Sequence, residues 1–174
     1  FNNLQKSGLN DINLTIVTRL KELKNIPSDF KNNKNIKWIE SNLNDEEITK
    51  LLKSSKCLLH PTLSDSFGVV VLEAMSQGCS IIASNMASFP EMVSSENGFL
   101  VNPPIATSVN DTYITEFGNS KYFNSYLETL NLDNFTEEIF NNMKTLISNP
   151  KTTKSLMQGS LKKFSNKFSE TVWI

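Results

Sequence analysis

Asp65 and Glu73 stand eight residues apart in SDSFGVVVLEAMSQG, Ser64 to Gly78. Phe67, Gly68, Val69, Val70, Val71 and Leu72 lie between them, and Ala74 and Met75 follow. An ionised carboxylate with neighbours as apolar as those of Glu73 needs a partner; the hydroxyls of a sugar or a ribose would supply one. If Asp65 precedes a helix and Glu73 lies two turns into it, a rise of ~1.5 Å per residue sets them about 12 Å apart and about 80° apart around the axis. Carboxylates that act together on one glycosidic bond are separated by ~5–10 Å, so these two do not share a bond. They can grip opposite ends of one extended ligand. Gly68 falls where the strand-to-helix loop becomes helix. The N–H groups of Gly68, Val69 and Val70 would point outward there with the positive end of the helix dipole behind them, which favours a phosphate. Gly68 has two readings: it lets a ligand approach the backbone, or it eases a tight helix–strand contact.

The elements that must position these residues follow from pattern. INLTIVT, Ile12 to Thr18, and NIKWIE, Asn35 to Glu40, are short and rich in β-branched residues, so they read as strands. A polar connection containing Pro27 joins them. NDEEITKLLKSSK reads as a helix, with Asn44 as N-cap, Glu47 closing a capping box, and Ile48, Leu51 and Leu52 as its apolar stripe. CLLHP, Cys57 to Pro61, is a strand stopped by proline. SFGVVVLEAMSQG is a helix stopped at Gly78. CSIIAS is a further strand, FPEMV a short helix opened by Pro90, and NGFLVNP a turn into a strand. Residues 105–133 break the pattern and read as an insertion with one short helix. Two helices close the chain, the first amphipathic through Ile139, Met143, Leu146 and Ile147 and ended by Pro150. Short apolar strands separated by helices predict an α/β fold: a Rossmann-like, doubly wound parallel sheet in three α/β/α layers. Ligands then bind beyond the carboxyl ends of the strands, after Thr18, Glu40, Pro61, Ser84 and Val101.

Composition narrows the class. A net charge of −1 over 174 residues gives no electrostatic case for nucleic acid or an anionic membrane. No apolar run approaches the ~20 residues of a membrane span. The opening Phe1-Asn2-Asn3 lacks a basic start followed by an apolar core, and with no initial Met the chain reads as a fragment of something longer. Cys57 and Cys79 lack metal-ligand spacing and read as reduced thiols in a cytosolic protein.

The stretch from Pro61 to Pro103, PTLSDSFGVVVLEAMSQGCSIIASNMASFPEMVSSENGFLVNP, resembles the donor-binding half of the retaining family-4 glycosyltransferases of GT-B fold. That family carries a proline-serine turn, Glu-x-Phe-Gly, a Glu-Ala-Met-Ala helix, a Gly-x-Pro-Val strand, Pro-Glu, and Asn-Gly-hydrophobic-Leu-Val, in this order. The likeness extends over roughly residues 1–104 and the last two helices, leaving 105–133 unmatched. It implies that 1–174 is a single nucleotide-sugar-binding domain, one half of a GT-B enzyme, with the N-terminal acceptor domain missing. Asp65 then stands at the first carboxylate of the family's Glu-x7-Glu motif, the catalytic position near the transferred sugar's hydroxyls. Glu73 stands at the second, which holds the nucleotide ribose. Ser66, Phe67, Gly68 and Val69 match the segment facing the sugar and diphosphate, and Ile39 and Glu40 the strand end whose backbone contacts the base.

The resemblance implies transfer of a hexose from a donor such as UDP- or GDP-hexose to a glycan, lipid or other acceptor, with retention, without metal and without a cofactor. It implies a cytoplasmic protein of polysaccharide biosynthesis, compatible with the inner face of the membrane through the N-terminal domain. The isolated chain is expected not to turn over. Three departures stand out. Asp65 is one methylene shorter than the family's Glu. Ser88 replaces a common glycine. Arg19 and Lys24 have the spacing of the family's basic pair, but the connection from INLTIVT to NIKWIE is short. INLTIVT therefore reads as the second strand, and the first strand with its basic loop as missing. Arg19 remains a phosphate contact or a solvated surface side chain, and His60, the lone histidine, a loop or core residue rather than a catalytic one. The alternatives are a non-catalytic nucleotide-sugar-binding module and a structural Rossmann-like interaction domain.

Overall fold

The alternation of short strands and helices read from the sequence is the one the chain adopts. The computed structural model describes residues 1–23, 26–65, 67–105, 108–109, 112–113, 126 and 128–169. These divide into two compact units, Phe1–Lys50 and Leu51–Ile174.

The first unit holds a short helix α1 (Asn2–Lys6), strand β1 (Leu14–Thr18), a 3-10 turn (Leu20–Glu22), α2 (Ser28–Lys31) and β2 (Ile36–Glu40). β1 and β2 are parallel, with Leu14 opposite Ile36 and Thr18 opposite Glu40. Asn35 fastens the entry to β2 by donating its amide to the carbonyls of Asn10 and Ile12. Leu4 of α1 is fully buried. Phe30 meets Trp38 edge to face, with ring centroids 5.8 Å apart at 85°. The Trp38 indole N–H is buried with no acceptor among the described residues.

Helix α3 (Asp45–Lys53) starts on the expected reciprocal cap. The Asn44 N–H donates to Glu47 Oε2 at 2.9 Å and the Glu47 N–H to Asn44 Oδ1 at 3.0 Å.

The second unit is built on three parallel strands in the order β3 (Cys57–His60), β4 (Ser80–Ser84) and β5 (Gly98–Val101). Helix α4 (Val69–Ser76) connects β3 to β4, and α5 (Phe89–Met92), with Pro90 in its first turn, connects β4 to β5. Two long helices follow, α6 (Asp133–Ser148) and α7 (Pro150–Lys167), and Asn149 caps the second by accepting from the Thr152 N–H. Ile82, Val101, Phe135, Leu146 and Leu156 form the core between β4, β5 and these helices, with Ile139 and Met143 against it.

All five residues of β4 are buried, which only a strand covered on both faces allows. Its polar members are satisfied: Ser80 Oγ donates to the Lys56 carbonyl and Ser84 Oγ to the Thr62 carbonyl. From α7, Ser160 Oγ donates to the Cys79 carbonyl. At Gly159 a Cβ would overlap the Glu96 carbonyl oxygen, so the glycine lets α7 lie directly on backbone.

Helix α4 begins at Val69 rather than Ser66. Gly68, at φ +73°, turns the chain into it, and Gly78, at φ +77°, ends it as expected. Within 105–133, Ser108–Val109 (β6) pairs antiparallel with Thr112–Tyr113 (β7). The short helix expected in this stretch falls largely outside the described residues. No helix among the described residues is long and apolar enough to cross a membrane.

Candidate functional site

β3 delivers its last residue, His60, to the carboxyl end of the sheet, and the chain then turns through Pro61 to Gly68 into α4. Small side-chain bonds shape this turn. Thr62 Oγ1 donates to the Ser64 carbonyl at 2.7 Å and accepts from the Ser64 N–H at 3.2 Å. The Asp65 carboxylate accepts twice: Oδ1 from the Phe67 N–H at 3.0 Å, and Oδ2 from His60 Nε2 at 3.1 Å. A carboxylate only accepts, so His60 carries its proton on Nε2. The His60 ring stands edge-on to Phe89, with centroids 5.4 Å apart at 89°.

Phe89 is wholly buried, and its ring occupies the space in which Gly68 would carry a Cβ. Of the two readings of Gly68, the tight intramolecular contact is therefore present, reinforced by a positive φ that favours glycine. The backbone N–H groups of Gly68, Val69 and Val70 meet no acceptor among the described residues; the first bonded N–H of the helix is that of Val71, to the Gly68 carbonyl. Phe67 and Val69 flank them, 49% and 58% exposed.

Glu73 lies on the face of α4 that also carries Val69, four residues earlier, and is half-buried. No hydrogen bond or ion pair holds its carboxylate among the described residues. The two acidic residues of the motif thus differ in state: Asp65 is engaged by its own loop, and Glu73 is unengaged.

The structure brings Asp65, Phe67, Gly68, Val69 and Glu73 together around the start of α4; Ser66 lies outside the described residues. Ile39, Glu40 and Arg19 belong to the first unit and meet at the carboxyl end of its ladder. There Glu40 Oε2 accepts from the Leu20 N–H at 3.2 Å and Oε1 from the Ser41 N–H at 3.3 Å. Arg19 is exposed directly after β1, and Lys24 lies outside the described residues. Sequence reasoning missed Ser88, whose Oγ donates to the Phe67 carbonyl at 2.5 Å, and gave His60 no part beside Asp65. The signal for His60 was its place at a strand's carboxyl end; Ser88 stood out only as a departure from glycine.

The thiols are not nucleophile candidates. Burial pushes Cys57 up to about 12 and Cys79 up to about 11, so both are protonated at neutral pH. Among the described residues no three His, Cys, Asp or Glu side chains gather as metal ligands.

Comparison with known proteins gives the family and the fold. The family model described as "Glycosyl transferases group 1" matches residues 1–121. The O-antigen chain mannosyltransferase B of Escherichia coli is 34% identical over 59 residues, which is 34% of this chain but only 15% of that protein's length. Two solved structures share the fold. One is the C-terminal domain of a glycosyl transferase group 1 family protein from Francisella tularensis, with a TM-score of 0.58 at 18% identity, covering 95% of this chain and 92% of that one. The other is Anabaena HepE in complex with UDP and glucose, with a TM-score of 0.60 at 15% identity, covering 97% of this chain and 40% of that one.

Proposed function

Because the chain belongs to the group 1 glycosyl transferases, we propose that it is the donor-binding part of such an enzyme and takes a nucleoside-diphosphate sugar such as UDP- or GDP-hexose. The observation that carries this reading is the unengaged, half-buried carboxylate of Glu73 on the helix that begins with three acceptorless N–H groups. A carboxylate there accepts the hydroxyls of a ribose, and the N–H groups, with the dipole of α4 behind them, receive a diphosphate. Phe67 and Val69 offer apolar surface beside them. For Ile39, Glu40 and Arg19 of the first unit, a part in holding the base or a phosphate rests on the family resemblance alone. That a fold relative has been solved with UDP and glucose supports the ligand class.

In the complete enzyme the hexose passes to a glycan, lipid or other acceptor with retention of configuration. The step breaks the bond between the anomeric carbon and the diphosphate, and the negative charge grows on the leaving oxygen. Fixed N–H donors aimed at that charge stabilise it without reorganising. Asp65 faces the transferred sugar: two of the roughly four lone-pair positions of its carboxylate are taken by His60 and Phe67, and two remain for hydroxyls. The metal-free character of the family's chemistry is carried over as part of the proposal.

Calorimetric titration of the chain with UDP and GDP tests the reading. Binding of one of them, weakened about tenfold or more by Glu73→Ala at unchanged melting temperature, is the expected result. Binding that ignores Glu73 would sink it. A second reading, a sugar-nucleotide-binding module without transfer, draws on the engagement of Asp65 by its own loop. Transfer by the whole protein that is lost on Asp65→Ala separates the two.

A further inference from the structure

Both peptide groups of Phe67 are held by side chains. Its N–H donates to Asp65 Oδ1, and its carbonyl accepts from Ser88 Oγ. Asp65 is held in turn by His60, His60 packs edge-on against Phe89, and Phe89 fills the place of the missing Cβ of Gly68. Residues from the end of β3, the turn and the start of α5 therefore close on a single residue, Phe67. The turn before α5 is itself held in an uncommon shape: Ala87 has φ +48°, a region that L side chains rarely adopt, and it carries Ser88 at its end.

The residue types are those the geometry needs. A side-chain oxygen that accepts from the N–H two residues on is the short-range turn of Asp and Asn; Glu, one methylene longer, is not built for it. A glycine at 88 has no hydroxyl to give the Phe67 carbonyl. The two departures from the family pattern, Asp for Glu at 65 and Ser for Gly at 88, thus act on the N–H and C=O sides of the same residue.

We infer that His60, Asp65 and Ser88 form a clamp on Phe67 that fixes, before the donor arrives, the direction of the Gly68, Val69 and Val70 N–H groups and the stance of the exposed Phe67 ring. His60 and Ser88 are positioning residues that act through Asp65 and Phe67. The clamp favours the sugar-diphosphate half of the donor over its nucleoside half, which Glu73 serves. This last step rests on the donor-binding reading; the clamp itself does not.

Two measurements on the 174-residue chain test it. The first is amide hydrogen exchange at Phe67, whose N–H the Asp65 carboxylate holds. Ser88→Gly and His60→Phe are each expected to speed exchange at this amide about tenfold, the worth of roughly one hydrogen bond, with the β4 amides unchanged. His60→Gln, which keeps a donor near the Nε2 position, is expected to restore protection. Asp65→Glu with Ser88→Gly is expected to add little beyond either alone, because both release the same residue. Wild-type exchange rates in Ser88→Gly and His60→Phe would overturn the clamp.

The second measurement is the ratio of affinities for UDP-glucose over UDP and for GDP-mannose over GDP. Ser88→Gly is expected to lower the ratio of whichever pair binds about threefold to tenfold, whereas Glu73→Ala lowers both members together. An equal loss on both members in Ser88→Gly would overturn the preference for the sugar-diphosphate half. If the wild-type chain binds none of the four, the donor-binding reading fails and the exchange data still decide the clamp.

Discussion

The β1–β2 ladder and the β3–β4–β5 sheet are both parallel, yet they are buried in opposite ways. Along β1, half-buried Leu14, Ile16 and Thr18 alternate with exposed Thr15 and Val17. Along β4 no residue reaches solvent. Two strands with one half-covered face stabilise little on their own, while a strand enclosed on both faces removes nearly all its side-chain area from water, at ~25 cal/mol per Å² of apolar surface. The contrast separates two tasks. The second unit supplies rigidity and holds the start of α4 in place. The first presents a strand end at which the Glu40 carboxylate accepts from two backbone amides and the Ser41 N–H donates to the Thr18 carbonyl.

The sharpest break of this contrast is Gly159→Ala. A Cβ there meets the backbone of Glu96, which has no rotamer with which to yield. The cost is expected to be about 3 kcal/mol or more, seen as a melting-temperature drop of the second unit. Leu4→Ala is the matching test in the first unit. Leu4 is fully buried, so truncation is expected to cost about 2–5 kcal/mol locally. Amide exchange should rise along β1 and β2 and stay slow in β4; an equal rise in both sheets would show that the two tasks are not separate.

A pH titration sharpens the comparison further, because both thiols lie in the second unit. Their folded values, about 12 and about 11, exceed the ordinary 9.0. The folded state therefore holds more protons than the unfolded state between these limits, and stability falls as pH rises. The contribution is complete below pH ~9 and is lost through pH ~11–12. Replacing Cys79 with Ala is expected to flatten this limb in denaturant melts of the second unit. The smallest effect is expected at Gly8. Like Gly68 it has a positive φ, but a Cβ there meets nothing. Gly8→Ala should cost only the backbone preference, about 1 kcal/mol, against a much larger loss for Gly68→Ala, where Phe89 blocks the side chain.

What could be read in advance follows from how far apart the interacting residues are. The Asn44–Glu47 cap, the Gly78 stop and the apolar strands are written within a few residues, and the structure has them as read. The resemblance from Pro61 to Pro103 likewise named the family whose model matches the chain. The length of α4 was overread because the left-handed Gly68 and the Asp65 turn precede it. The state of Asp65 was hidden for a different reason: its spacing suggested a ligand, while its shorter side chain folds back onto Phe67 and His60. Ser88 meets Phe67 across 21 residues, and Ser160 meets the Cys79 carbonyl across 81. Neither contact leaves a local pattern, since each exists only once the helices have docked.

Trp38 has a use that its packing creates. Its indole N–H is buried without an acceptor among the described residues, and Phe30 stands edge-on to the ring, so its emission should lie toward the blue and shift red when water reaches it. The other tryptophan of the chain, Trp173, lies outside the described residues and can be replaced by Phe. The fluorescence of the remaining indole would then follow the smaller unit alone, while far-UV circular dichroism follows mostly the long helices of the larger one. Denaturant curves from the two signals that fail to coincide would give each unit its own midpoint.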